Sequence, residues 1–192
     1  MTKGATIVVT IAAVIFVFLA VVVGVFSTQN TAISKENSVT EQLDVIATSQ
    51  NEMFNTLESL VASVKNYENF EGESLKNVIA MRTGGTDAKA ISENAKTLER
   101  AQIYVNAVHE AYPDLKSAVI VNEYMVAVQR YNSKVAQAYK AYARAKADYR
   151  RCTRAWPRRN ILDMVGYEVV EFEDLYDGSS VKLPNQGKPS TL

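Results

Sequence analysis

The 192 residues suffice for one domain with accessory segments and are too few for two ordinary domains. Basic and acidic residues are equal at 21 each, which excludes a global field that would recruit nucleic acid or membrane but leaves room for segregation along the chain. A single cysteine, Cys152, excludes an internal disulfide and a CxxC metal or redox site.

After a short tail, residues 1–4, the stretch Ala5 to Phe26 holds 22 residues without a charge, and only Thr6 and Thr10 are polar. A helix crossing hydrocarbon needs about 20 such residues. The run is longer than the roughly 7–15 residues of a cleavable signal core, so the sequence predicts an uncleaved transmembrane anchor over 5–26. A small-residue site at Val25 to Ser27 is the competing feature.

The region 27–165 reads as a helical bundle. Its first helix carries Val39, Leu43, Ile46, Gln50, Met53, Leu57, Leu60, Val64 and Tyr67 at steps of four and three, a heptad seam. Gln50 is the lone polar member, of the kind that sets register. The pattern can continue through Leu75, Val78 and Met81, with Gly72 as a weak point. Thr83 to Asp87, "TGGTD", predicts a turn. A further helix follows with Ile91, Ala95, Leu98, Val105, Val108 and Tyr112, ended by Pro113. Asp114 is placed to cap the next one.

The last long helix has its seam at Val121, Tyr124, Val128, Tyr131, Val135, Ala138, Tyr142, Ala145, Tyr149, Cys152 and Trp156. Large rings alternate with small residues, which lets a facing helix approach, and Pro157 stops the run. "GYEVVEF", Gly166 to Phe172, is β-prone and opens a short, extended acidic segment over 166–178. Residues 179–192 hold too little apolar content to fold and predict a disordered tail. The fold class is therefore all-α: an N-terminal transmembrane helix followed by an up-down antiparallel bundle of long helices with heptad-type seams.

"VKNY" (Val64 to Tyr67), "ESLKNVIAMR" (Glu73 to Arg82), "AYPDLKS" (Ala111 to Ser117) and the tyrosine ladder running into "WP" and "GYEVVEF" resemble the LemA family. In that family an amino-terminal anchor leads into a helical bundle with motifs like VKGY and YPDLK and two Tyr-Asn steps. The chain departs from the pattern at Glu52 to Leu60, where the family has two arginines and a D-L-I-P-N run. It departs again where Ala143 and Arg150 replace the ladder asparagines. The resemblance implies a bacterial-type, membrane-anchored bundle and assigns no reaction.

Chemistry is sparse. His109, the only histidine, sits near a helix end, where a solvated residue gains from the helix dipole. No nucleophile elbow, phosphate loop or di-metal carboxylate pattern accompanies it. Cys152 holds a seam position as a small hydrophobe. The sequence thus predicts no enzyme, no cofactor and no metal.

Charge is segregated. Between Val128 and Asn160 ten basic residues face one acid, Asp148. Between Glu36 and Glu73 eight acids face one base, Lys65. The heptad places Arg130, Lys140, Arg144, Arg150, Arg151, Arg154 and Arg158 away from the last seam, and Glu41, Asp44, Glu52 and Glu58 away from the first. A solvated surface is the plain account. Nucleic acid is disfavoured, because Tyr142, Tyr149 and Trp156 lie on the seam and not among the arginines. Opposite faces that cannot meet within one bundle can meet between copies. The sequence therefore predicts a membrane-anchored scaffold or interaction protein that forms a homo-oligomer, with another membrane protein as a possible partner. The alternative is a protein that binds anionic lipid or remodels membrane, provided the last helix ends near the bilayer. The short basic amino terminus and the family resemblance favour a bundle on the extracytoplasmic side.

Overall fold

A computed structural model describes residues 3–64, 72–111 and 119–176. The expected features at Tyr67, Pro113, Asp114 and the tail 179–192 lie outside them. Five helices are described: α1 (Lys3–Val64), α2 (Gly72–Ala80), α3 (Ala88–Ala111), α4 (Val119–Arg154) and α5 (Arg158–Met164). Among the described residues there is no strand, and the helices pack as a bundle.

α1 runs for 62 residues without a break, so no linker separates its apolar beginning from its core-forming half. From Ile7 to Phe26 its large side chains face outward, as in Phe16 and Phe18, and the helix is long and apolar enough to cross a membrane. Serines and threonines further along do not interrupt it. Thr28, Thr31, Ser38 and Ser49 each turn their hydroxyl back onto the carbonyl four residues earlier, which satisfies them within the helix.

The chain divides into two compact units, and their boundary falls inside both α1 and α4. The larger unit comprises residues 42–141 with 173 onward. Its core draws Met53, Leu57 and Leu60 from α1, Leu75 and Ile79 from α2, Leu98, Ala101 and Val105 from α3, and Tyr124 and Val128 from α4. Most described residues of the predicted seams are thus buried, while Val78, Ala95, Tyr131 and Val135 are half-buried. Phe54 and Val61, off the heptad line, are buried too, because α1 is covered on a face wider than a two-position seam. Gln50 is fully buried and its amide donates to the Ile91 carbonyl at 2.9 Å, a tie that fixes α1 against α3.

The helix through Leu75 ends at Ala80, and Met81 is exposed rather than part of the seam. The expected turn, Thr83 to Asp87, falls in the non-helical stretch between α2 and α3. Gly85 has φ 119°, and a Cβ there would lie 3.2 Å from the Asp87 carboxylate, so glycine suits the position. Asp87 caps α3 by accepting from the Lys89 and Ala90 amides, while Asn94 bonds both the amide and the carbonyl of Thr83 at 2.8 Å.

The smaller unit holds residues up to Glu41 and 142–172. Tyr142, Tyr149 and Cys152 are buried, as the ladder predicts. Trp156 is not: it is 82% exposed. α4 stops at Arg154, since Pro157 supplies no amide donor and disfavours helical geometry at the residue before it. The ring therefore leaves the seam. Leu162 of α5 packs beside Cys152 and Ala32 instead. α5 ends in a Schellman motif, with Gly166 at φ 70° and the Tyr167 amide donating to the Leu162 carbonyl at 3.0 Å. "GYEVVEF" forms no strand. With no neighbouring strand among the described residues to pair with, the Val170 amide finds the Tyr149 hydroxyl at 3.0 Å.

Candidate functional site

The charged side chains singled out above all reach solvent: Arg130, Lys140, Arg144, Arg150, Arg151, Arg154 and Arg158 on and beyond α4, and Glu41, Asp44, Glu52 and Glu58 on α1. Lys146 does not belong to that face. It is buried, with its ammonium 5.9 Å from the centre of the Tyr142 ring. The expectation that the acidic and basic faces cannot meet within one chain fails at one pair, because Lys134 reaches Glu52 at 2.8 Å. Both are long, and at the edge of two packed helices long side chains bridge what heptad positions place outside the seam. Arg151 pairs with Asp148 at 3.4 Å and Arg154 with Glu171 at 3.1 Å. Arg130, Lys140, Arg144, Glu41, Asp44 and Glu58 make no ion pair among the described residues.

Within the smaller unit α4 descends toward the apolar end of α1. Tyr149 connects through Tyr167 to Glu36, and one turn further on Cys152 packs against Ala32, six residues past Phe26. The chain then presents Arg154, Trp156, Arg158 and Arg159 to solvent, and Met164 at the end of α5 is 69% exposed. From Arg150 to Arg159 there are five arginines and no acid.

A directed chain of hydroxyls holds this end together. The Val170 amide donates to the Tyr149 oxygen, the Tyr149 hydroxyl lies 3.3 Å from that of Tyr167, and Tyr167 donates to the Glu36 carboxylate. Burial first, and then the bond to Glu36, push the Tyr167 hydroxyl above the ordinary tyrosine value. Phe172 meets the Tyr149 ring edge-on at 5.5 Å. In the larger unit Tyr176 is tied as firmly. Its amide donates to the Ser92 hydroxyl at 3.2 Å, its hydroxyl to Glu99 at 2.7 Å, and its carbonyl accepts from Tyr139 at 2.7 Å. Sequence patterning missed both anchorages. The usable signal was Gly166 just past Met164, a helix stop that places Tyr167 against the preceding turn.

No group of three or more His, Cys, Asp or Glu side chains that could hold a metal occurs among the described residues. Cys152 is a buried free thiol in the apolar cluster with Ala32 and Leu162.

These features define a helical-bundle protein whose first helix carries a segment apolar and long enough to cross a membrane. The model of the LemA family matches residues 41–184, most of the chain. The protein belongs to the LemA family. A comparison with curated proteins finds no match.

Proposed function

We propose that this protein is a non-enzymatic scaffold, anchored by one membrane pass, that self-assembles through its charged faces. The supporting observation is the unbroken α1. One continuous helix supplies both the exposed apolar segment and part of the buried core. Asp44 and Glu58 on α1, and Arg130 and Lys140 on α4, are exposed and lack ion-pair partners among the described residues, which leaves them for a second copy. A contact between two different patches is heterologous and propagates into a ring or array. Exposed pairs give about 0–1 kcal/mol each, so assembly needs several of them together with the concentrating effect of the bilayer. The bundle lies on the extracytoplasmic side, and another membrane protein is a further candidate partner.

The full chain in detergent tests this by mass photometry. Assemblies at low salt should disperse as salt screens the contacts. Arg130→Glu with Lys140→Glu and Arg144→Glu should disperse them at low salt, and adding Asp44→Lys and Glu58→Lys should partly restore them. A monomer at every salt concentration refutes self-assembly. Retention in the membrane after alkaline extraction tests the span. Labelling of Ser179→Cys in intact cells by an impermeant reagent tests the side, since Cys152 is buried.

A further inference from the structure

We infer that the end of α4 and α5 form a second membrane contact, in which Trp156 and the arginines around it dock on the anionic lipid head groups of the leaflet from which α1 emerges. The inference rests on α1 crossing the bilayer.

Position carries the first step. The apolar run of α1 ends at Phe26, and Ala32 lies about 9 Å further along at 1.5 Å per residue. The head-group layer on each side of the hydrocarbon is roughly 5–7 Å deep. Cys152 and Leu162 pack on Ala32, so this end of the unit stands just above that layer. α4 is heading toward the membrane when it stops. From Tyr149, linked through Tyr167 to Glu36, to Cys152 on Ala32, it moves one turn down α1, and Trp156 follows four residues later.

Chemistry carries the second. Trp156 at 82% exposure stands apart from Tyr124, Tyr142 and Tyr149 on the same predicted seam, which are buried. Tryptophan prefers the membrane–water boundary, where its ring meets hydrocarbon and its N–H meets water or phosphate. Arg154, Arg158 and Arg159 flank it, and guanidinium forks match phosphate oxygens. Arg154 and Arg159 have acidic neighbours, Glu171 at 3.1 Å and Asp163 at 3.9 Å, but these pairs are exposed and readily exchange for phosphate. Arg158 makes no ion pair among the described residues. Seam geometry alone assigned the ring to the core and hid this combination.

Trp156 is the sole tryptophan, so its fluorescence reports on the site without labelling. The full chain, shown by alkaline extraction to span the bilayer, is reconstituted in vesicles of phosphatidylcholine alone and in an equimolar mixture with phosphatidylglycerol. Each is prepared with and without lipids brominated high on the acyl chain. In the mixed vesicles Trp156 emission should shift to the blue and be quenched by bromine, and high salt should reverse both. Arg154→Gln, Arg158→Gln and Arg159→Gln should lower the docked-to-undocked ratio by roughly fivefold for each arginine neutralised. The salt and lipid comparisons use the unaltered chain, so a variant that folds poorly does not leave the question open. Emission that stays red and unquenched in the mixed vesicles overturns the inference while the span stands. Equal quenching in both lipids overturns the role of anionic head groups. A blue shift that grows with protein-to-lipid ratio and resists bromine assigns the surface to a second copy of the chain instead.

Discussion

Tyr149 separates two contributions that the structure places on one side chain. Its ring is 1% exposed and meets Phe172 edge-on, and its hydroxyl receives the Val170 amide and adjoins Tyr167. Tyr149→Phe keeps the ring and removes the oxygen. The Val170 amide then lacks its acceptor and Tyr167 loses a neighbour, at a cost of about 1 kcal/mol for a net hydrogen bond. Tyr149→Ala removes the ring as well, and large aromatic truncations in cores cost about 3–5 kcal/mol. For a chain of this size 1 kcal/mol moves the melting midpoint by about 2–4 °C. Thermal unfolding of the full chain in detergent, followed by circular dichroism, should therefore show a small loss for Phe and a loss of about 6–20 °C for Ala. Hydrogen exchange supplies the local readout. Amides in 166–172 should exchange faster in Tyr149→Phe, while those of α3 stay unchanged. Equal losses for Phe and Ala, or an unaltered Val170 amide in the Phe variant, would refute the division into ring and hydroxyl.

Gly166→Ala forces a side chain into the left-handed region with nothing nearby to obstruct it, so the cost is backbone alone, roughly 1–2 kcal/mol. Gly84→Ala, at a glycine without positive φ, should be near neutral in the same melting assay. Tyr124→Phe should stabilise the chain by about 1 kcal/mol at neutral pH, because the buried Tyr124 hydroxyl finds no partner among the described residues. Burial raises Tyr124 and Tyr131 above the ordinary value of 10.0, so the folded chain keeps protons that the unfolded chain releases above that pH. The stability present below pH 10 is then lost as pH rises, by about 1.4 kcal/mol per unit per tyrosine, and Tyr124→Phe should make the measured decline shallower. A double-mutant cycle on Lys134 and Glu52 should give a coupling of about 0.2–1 kcal/mol that does not vary with protein concentration, as befits a pair within one chain.

Most of the fold was legible because helices advertise their buried face by period. Leu43, Ile46, Met53, Leu57 and Leu60 on α1, and Tyr124, Val128, Tyr142 and Tyr149 on α4, are buried as the three-and-four spacing requires. The turn at 83–87 was legible for a local reason, since two glycines before an aspartate punctuate any helical pattern. Failure came where a period was extended past its physical end. Met81 and Trp156 continue their seams on paper, but each lies after the last helical residue, and a spacing rule holds only while the backbone is helical. The segment 166–178 reads as short, extended and β-prone, and its described part forms no strand. Its valines and aromatics have strand propensity, which reflects fit to a pleated, half-buried surface. This chain offers no neighbouring strand among the described residues, so Tyr149, Ser92 and Tyr139 take its backbone bonds instead.

The charged site was legible in kind and not in connection. Heptad position placed every named arginine and carboxylate in solvent, which the structure shares, because outward direction follows from backbone geometry alone. Which charges meet depends on side-chain reach and on segments far apart in sequence, and no spacing rule contains that. Lys134 closes on Glu52 across 82 positions, and Arg154 on Glu171 across 17. Lys146 illustrates the converse: counted among the basic face, it is buried beside Tyr142. The consequence reaches the functional proposals. With Lys146, Lys134 and Glu52 set aside, Arg130, Lys140 and Arg144 remain exposed and without an ion pair among the described residues. Arg154, Arg158 and Arg159 near Trp156 are exposed, and lipid head groups are their inferred partner. Different members of one run of basic residues therefore carry the two proposals, each with its own variants and its own assay.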